Sequence, residues 1–82
     1  MSIATDLEQF IVSEITRGRG IDAIAPDDDL LATGIVDSHG VMELVGTIES
    51  RYGIVVSDDD LTPENFKSLN SIEAYVTAKR GS

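Results

Sequence analysis

Ile3, Leu7, Phe10, Ile11 and Ile15 recur at spacings of four, three, one and four, which places them on one stripe of a helix over residues 3–16. The run Arg17-Gly18-Arg19-Gly20 ends that helix, because glycine adopts the left-handed conformation of a C-terminal cap and the arginines complement the negative end of the helix dipole. Val41, Leu44, Val45, Ile48 and Tyr52 form a second stripe and predict a helix from Ser38 to about Tyr52. His39, Met42, Glu43, Gly46, Glu49 and Ser50 then lie mostly on its outer side, and Gly53 is placed to cap it. Leu69, Ile72 and Val76 predict a last helix from about Ser68 to Arg80; near its start Asn70 and Glu73 have the spacing of a capping box. Between these helices, Ser57 or Asp58 starts a short helical turn through Leu61, and Thr62-Pro63-Glu64 starts another with proline at the first helical position. Ile54-Val55-Val56 is β-branched but has no partner run, so it reads as a buried extended linker rather than a strand.

The connection over residues 17–37 holds Pro26, the triplet Asp27-Asp28-Asp29 and Gly34, but also Ile21, Ile24, Leu30, Leu31, Ile35 and Val36. A connection that long and that apolar is expected to lie across the core, and a long ordered loop in a small domain is often functional. The expected fold is therefore all-α: a small four-helix bundle of three main helices and one short one, with a long first loop. Such a fold specifies no function by itself.

Length and charge narrow the reading. At 82 residues the chain holds one domain, residues 1–82, near the size below which domains usually need staples. The terminal Gly81-Ser82 pair is given no role, being of the kind a cloning remnant leaves. Hydrophobic residues make up 41% and sit at periodic positions, unlike the composition of a disordered acidic tail. The absence of cysteine excludes a disulfide framework, a thiolate metal site and a native thiol nucleophile. Fifteen acids against six Lys and Arg give a net charge of −9, which argues against nucleic acid and anionic membrane as partners. With no long apolar run and no signal-like N-terminus, a cytoplasmic monomer is expected.

The imbalance has an address. Residues 22–64 carry eleven acids and one base, Arg51, for a net −10, whereas the two ends together are net +1. Any single carboxylate there serves solubility, but the clustering points to a surface that steers basic partners.

The distinctive segment runs Asp28-Asp29-Leu30-Leu31-Ala32-Thr33-Gly34-Ile35-Val36-Asp37-Ser38-His39-Gly40-Val41-Met42-Glu43-Leu44. It sets a serine at a helix start after an aspartate and a glycine-bearing loop, and capping is the ordinary task of a serine there. Asp37-Ser38-His39 contains the residue types of a hydrolase triad, but consecutive residues project in different directions and no G-x-S-x-G elbow is present. The aspartate triplets lack the spacing of an EF-hand loop, and no metal site is assigned.

The segment from Asp29 to Leu44 resembles the prosthetic-group site of the acyl carrier and peptidyl carrier protein family. The family pattern is D-x-L-x-x-x-G-x-x-D-S, followed by a hydrophobic residue and, a few positions on, E-L. Asp29, Leu31, Gly34, Asp37, Ser38, Glu43 and Leu44 fill it, and Asp59-Asp60-Leu61-Thr62-Pro63-Glu64-Asn65-Phe66 is similar to the short third-helix region of discrete carriers. The resemblance covers essentially the whole chain. It implies a non-catalytic carrier in which Ser38 is joined through a phosphodiester to 4′-phosphopantetheine from coenzyme A, and acyl or aminoacyl groups ride on that arm as thioesters. Asp37 is implied to orient the modifying transferase. His39, Met42, Glu43, Glu49, Asp58, Asp59 and Asp60 are implied as the partner-docking face. The implied partners are a phosphopantetheinyl transferase, an acyl- or aminoacyl-loading ligase, and downstream synthase, transferase or tailoring enzymes.

Two residues depart from the family pattern. His39 stands where Leu, Met or Phe usually follows the serine, and Gly40 where fatty-acid carriers usually have an acid. The D-S-H-G sequence is more similar to discrete carriers of secondary metabolism, of polyketide or nonribosomal type, than to fatty-acid carriers. A fatty-acid-synthesis carrier and an acidic helical interaction module that is never modified remain the alternatives.

Overall fold

The computed structural model describes residues 2–81, so Ser82 of the terminal pair lies outside the described residues. Among those described there is no strand, and the expected bundle forms: α1 (Ile3–Phe10, continuing as a π-helical turn over Ile11–Ile15), α2 (Ser38–Tyr52), α3 (Pro63–Phe66) and α4 (Leu69–Arg80), with a 3₁₀ turn at Asp58–Asp60.

The stripes read from the sequence face inward. Leu7 and Ile11 from α1, Leu44, Val45 and Ile48 from α2, Phe66 from α3, and Leu69, Ile72 and Val76 from α4 make one core. The long first connection joins them, contributing Ile24, Leu30 and Val36. It is also stitched through its backbone: Leu30 N donates to Lys67 O (2.6 Å), and Asn70 N to Pro26 O (3.1 Å). A loop can lie inside a domain only when its N–H and C=O groups find partners, and here the α3–α4 junction supplies them.

Helix ends depart from expectation where distant residues compete for them. Ser68 caps α4 by accepting from Ser71 N, so the Asn70–Glu73 pair is not its capping box. Glu73 instead accepts from Ala4 N (3.1 Å) and helps to cap α1 beside Ser2, while Asn70 donates its side-chain amide to Asp27 (2.7 Å). The first helix stops at Thr16 through a widened turn: Thr16 N donates five residues back to Ile11 O (2.8 Å), and the buried hydroxyl also reaches Ile11 O (3.2 Å). Gly18 and Gly20 have positive φ, but in the turn that follows. The Arg19 guanidinium donates to the carbonyls of Gly34 and Ile35, in the loop before α2. Gly53 closes α2 in the left-handed conformation as expected, at φ +67°.

Ile54-Val55-Val56 is extended, as read, but not buried throughout, since Val55 is 76% exposed between half-buried neighbours. The segment follows the pleat of extended backbone, which turns alternate side chains to opposite sides.

Asp60 ties the 3₁₀ turn to α4. It accepts from Tyr75 Oη at 2.6 Å and lies 3.5 Å from Lys79 Nζ. Tyr75 also packs its ring against Phe66, with centroids 5.7 Å apart. Burial, followed by the Asp60 carboxylate, pushes the Tyr75 phenol up to about 12. Its folded value stands above its unfolded value, so its contribution is complete below about pH 10 and is lost as pH rises toward 12. Denaturant titrations from pH 8 to 11.5 are expected to show that loss in the native chain and a flatter profile in Tyr75→Phe. At pH 7 the variant is expected to be less stable by about 1 kcal/mol, for one hydrogen bond to a partly exposed carboxylate.

Candidate functional site

The site begins with how Asp29 folds the chain in front of α2. Its carboxylate accepts from Leu31 N (3.1 Å) and Ala32 N (2.9 Å), and its carbonyl receives Thr33 N and Thr33 Oγ1. The turn closes at Gly34, whose φ of +77° is open to glycine and strained for side-chain-bearing residues. Leu30 and Val36 sink into the core on either side, joined by Val36 N to Leu30 O (2.9 Å), while Arg19 holds the two carbonyls between them. The Asp and Gly of the motif are thus the two ends of one turn. Its Leu31 stays half-buried.

At the helix start the structure reverses one expectation. Asp37, not Ser38, is the N-cap, its Oδ1 accepting from Gly40 N at 2.8 Å. Ser38 is the first helical residue, exposed, and among the described residues its hydroxyl has no hydrogen-bond partner. A carboxylate is the better acceptor for a free helix N–H, and taking the capping task leaves the serine oxygen uncommitted. It also stands at the positive end of a 15-residue helix.

Gly40, read from the sequence only as a departure, has a steric reason. A Cβ on it would come 3.0 Å from Val36 Cγ1 and 3.1 Å from Ile15 Cγ2. The start of α2 therefore rests directly on the end of the first helix and on the loop that precedes Ser38. Gly40→Leu is expected to lose about 1–3 kcal/mol in chemical denaturation through overpacking. An unchanged midpoint would show that this contact does not constrain the site.

An apolar cleft of about 360 Å³ lies beside Ser38, lined by Leu31, Val41, Met42, Leu61, Pro63 and Phe66, with Ser38 and Thr62 as its polar members. Met42 is 58% exposed, so it belongs to this surface rather than to the core.

The acidic candidates divide by what they already hold. Glu43 sits one helical turn from His39 and pairs with it, Nε2 to Oε1 at 3.0 Å. Glu49 is half-buried and accepts from Val56 N (2.8 Å), which fixes the extended linker. Asp60 holds Tyr75 and Lys79; its carboxyl is drawn below its ordinary value by the Tyr75 hydrogen bond first. Asp58 and Asp59 are exposed and, among the described residues, hold no side-chain partner. Glu49 and Asp60 thus have fold-supporting roles that sequence periodicity does not reveal. Arg19 also supports the site, and nothing local to it signals that its partners lie 15 and 16 positions away.

Residues 9–76 match the protein family described as "Phosphopantetheine attachment site". Aminoacyl carrier protein 2 of Bradyrhizobium diazoefficiens is 27% identical over 88% of this chain and 81% of its own length. The D-alanyl carrier protein of Streptococcus suis is 39% identical over 56% of this chain, which spans 58% of that protein's length. Among solved structures, a chain in the crystal structure of an FAD-dependent dehydrogenase superposes with a TM-score of 0.76 at 26% identity, covering 85% of this chain and 97% of that one. The matched chain is thus about the size of this one, and its fold is the same helical bundle.

Proposed function

Since the chain belongs to the phosphopantetheine attachment-site family, and so is a carrier that takes 4′-phosphopantetheine covalently, we propose that Ser38 is the attachment residue and that the cargo is an acyl or aminoacyl group of polyketide- or nonribosomal-type metabolism. The observation that carries the assignment of Ser38 is its hydroxyl: exposed, without a partner among the described residues, and set at the N-terminus of the longest helix.

The residues present fit the group. The first N–H groups of a helix have no intrahelical acceptor, and the Asp37 side chain accepts only that of Gly40, so the helix start tolerates the phosphodiester anion. The cleft beside Ser38 offers an apolar wall to an arm or its cargo. When bound, the arm supplies the thiol this sequence lacks and holds the cargo as a thioester. The chain's own task is presentation. Carriers of this family are not catalysts; they are substrates of a phosphopantetheinyl transferase and of loading enzymes. In this reading Asp37 orients the transferase as well as capping α2, and Met42, Glu43, Asp58 and Asp59 form the surface that basic patches on partners approach. The names of the aminoacyl and D-alanyl carriers support an amino-acid-type cargo over a long fatty acid.

Intact-protein mass spectrometry after incubation with a broad-specificity phosphopantetheinyl transferase and coenzyme A tests the assignment. One added phosphopantetheinyl mass, mapped to the peptide that contains Ser38, is expected. An unmodified chain would leave the interaction-module reading in its place.

A further inference from the structure

His39 follows Ser38 directly, and its imidazole is turned back along α2 onto Glu43. The ring is 85% exposed and the Glu43 side chain 40%, so the pair lies on the surface beside the proposed attachment point. Among the described residues Glu43 is the one carboxylate within ion-pair reach of His39, and His39 the one cationic-type group within reach of Glu43. The hydrogen bond needs only that Nε2 carry its proton, which holds for the imidazolium and for one neutral tautomer. A carboxylate so held has one oxygen occupied by the carrier's own side chain and its charge partly compensated.

We infer that His39 is a specificity-determining residue that masks Glu43, so that partners reaching for a carboxylate on this edge of α2 meet it already occupied. The inference rests on the reading of Ser38 as the attachment residue, because the partners concerned are those that act at that serine. An apolar side chain after the serine leaves the glutamate one turn on free to meet a partner's cation; a histidine competes for it. The strength of the mask follows from its exposure. Pairs one turn apart on a helix surface are weak, so a partner displaces His39 at a cost of roughly two-fold in association rather than being excluded. A carrier tuned in this way discriminates by degree among partners that differ in how far they depend on Glu43.

The test is a double-mutant cycle on kcat/KM for phosphopantetheine transfer, with His39→Ala, Glu43→Ala and the double variant assayed at low and high salt. His39→Ala is expected to raise kcat/KM about two-fold where Glu43 is intact, to change nothing where Glu43 is alanine, and to lose its effect at high salt. Equal effects in both backgrounds would make His39 a direct contact only and overturn the masking role. His39 is the only histidine in the chain, so its ring resonances are unambiguous. In the unmodified protein, Glu43→Ala is expected to move the Nε2 resonance, and an unmoved resonance equally overturns the inference. Absence of any mass gain defeats the attachment reading together with this one; a normal mass gain with an uncoupled cycle defeats this one alone.

Discussion

Ser38→Ala is expected to abolish the phosphopantetheinyl mass gain completely while leaving the fold intact. The loss is total because transfer needs an oxygen nucleophile and alanine has none. The fold survives because Asp37 already caps α2 and the serine hydroxyl holds nothing among the described residues, so its removal changes stability by no more than about 0.5 kcal/mol. Asp37→Ala is the informative contrast: it removes the cap, at about 1 kcal/mol, and keeps the nucleophile. Paired mass spectrometry and urea denaturation on the two variants separate chemistry at position 38 from helix capping at position 37. A mass gain persisting in Ser38→Ala would move the arm to another hydroxyl, and a loss of about 1 kcal/mol in that variant would return the capping task to the serine.

Leu30→Ala carries the largest expected effect on stability, although Leu30 lies in no helix. Its side chain is 0% exposed within the core, and burial of that kind makes a leucine-to-alanine change cost about 2–5 kcal/mol. A domain of this size has a total stability on the order of 4–12 kcal/mol, so the variant approaches unfolding at moderate temperature. The backbone of Leu30 also donates to Lys67 O and accepts from Val36 N, so a loosened Leu30 frees the segment leading to Ser38 and slows modification of the fraction still folded. Urea titration followed by circular dichroism measures the first effect, and transfer kinetics the second. A loss below about 1 kcal/mol would mean that the first connection lies on the core without being part of it.

Much of the fold is legible in the chain because its causes are local. Leu7 and Ile11, Leu44 and Ile48, Ile72 and Val76 are each four apart, and that spacing places them on one face whatever else the chain does. Gly53 and Pro63 announce a helix end and a helix start through their own backbone preferences. The candidate site is legible through the family resemblance that Asp29, Gly34, Asp37 and Ser38 carry; of these, Asp29 and Asp37 accept from N–H groups within three positions and Gly34 sits at positive φ.

Other contacts join residues far apart in sequence. Glu73 is spaced to cap its own helix, yet it meets Ala4 at a separation of 69 positions; no pattern within α4 contains that contact. Glu49 and Asp60 look like free surface acids until the linker and Tyr75 arrive beside them. The division between Asp37 and Ser38 is a different case, local but too fine, since two adjacent residues can both cap a helix and only the structure shows that the Asp37 side chain does so.

By itself the sequence determined the helices, their inward faces and the glycine-bearing loop that leads to the serine at the start of α2, because periodicity, backbone preference and side-chain capping act over one or two helical turns. Tertiary structure alone decided which acids hold the fold together and which face outward, why position 40 is glycine, and that Ser38 keeps its hydroxyl uncommitted. Those outcomes depend on which surfaces packing brings within about 3 Å, and burial and hydrogen bonding are properties of that arrangement rather than of any residue in it.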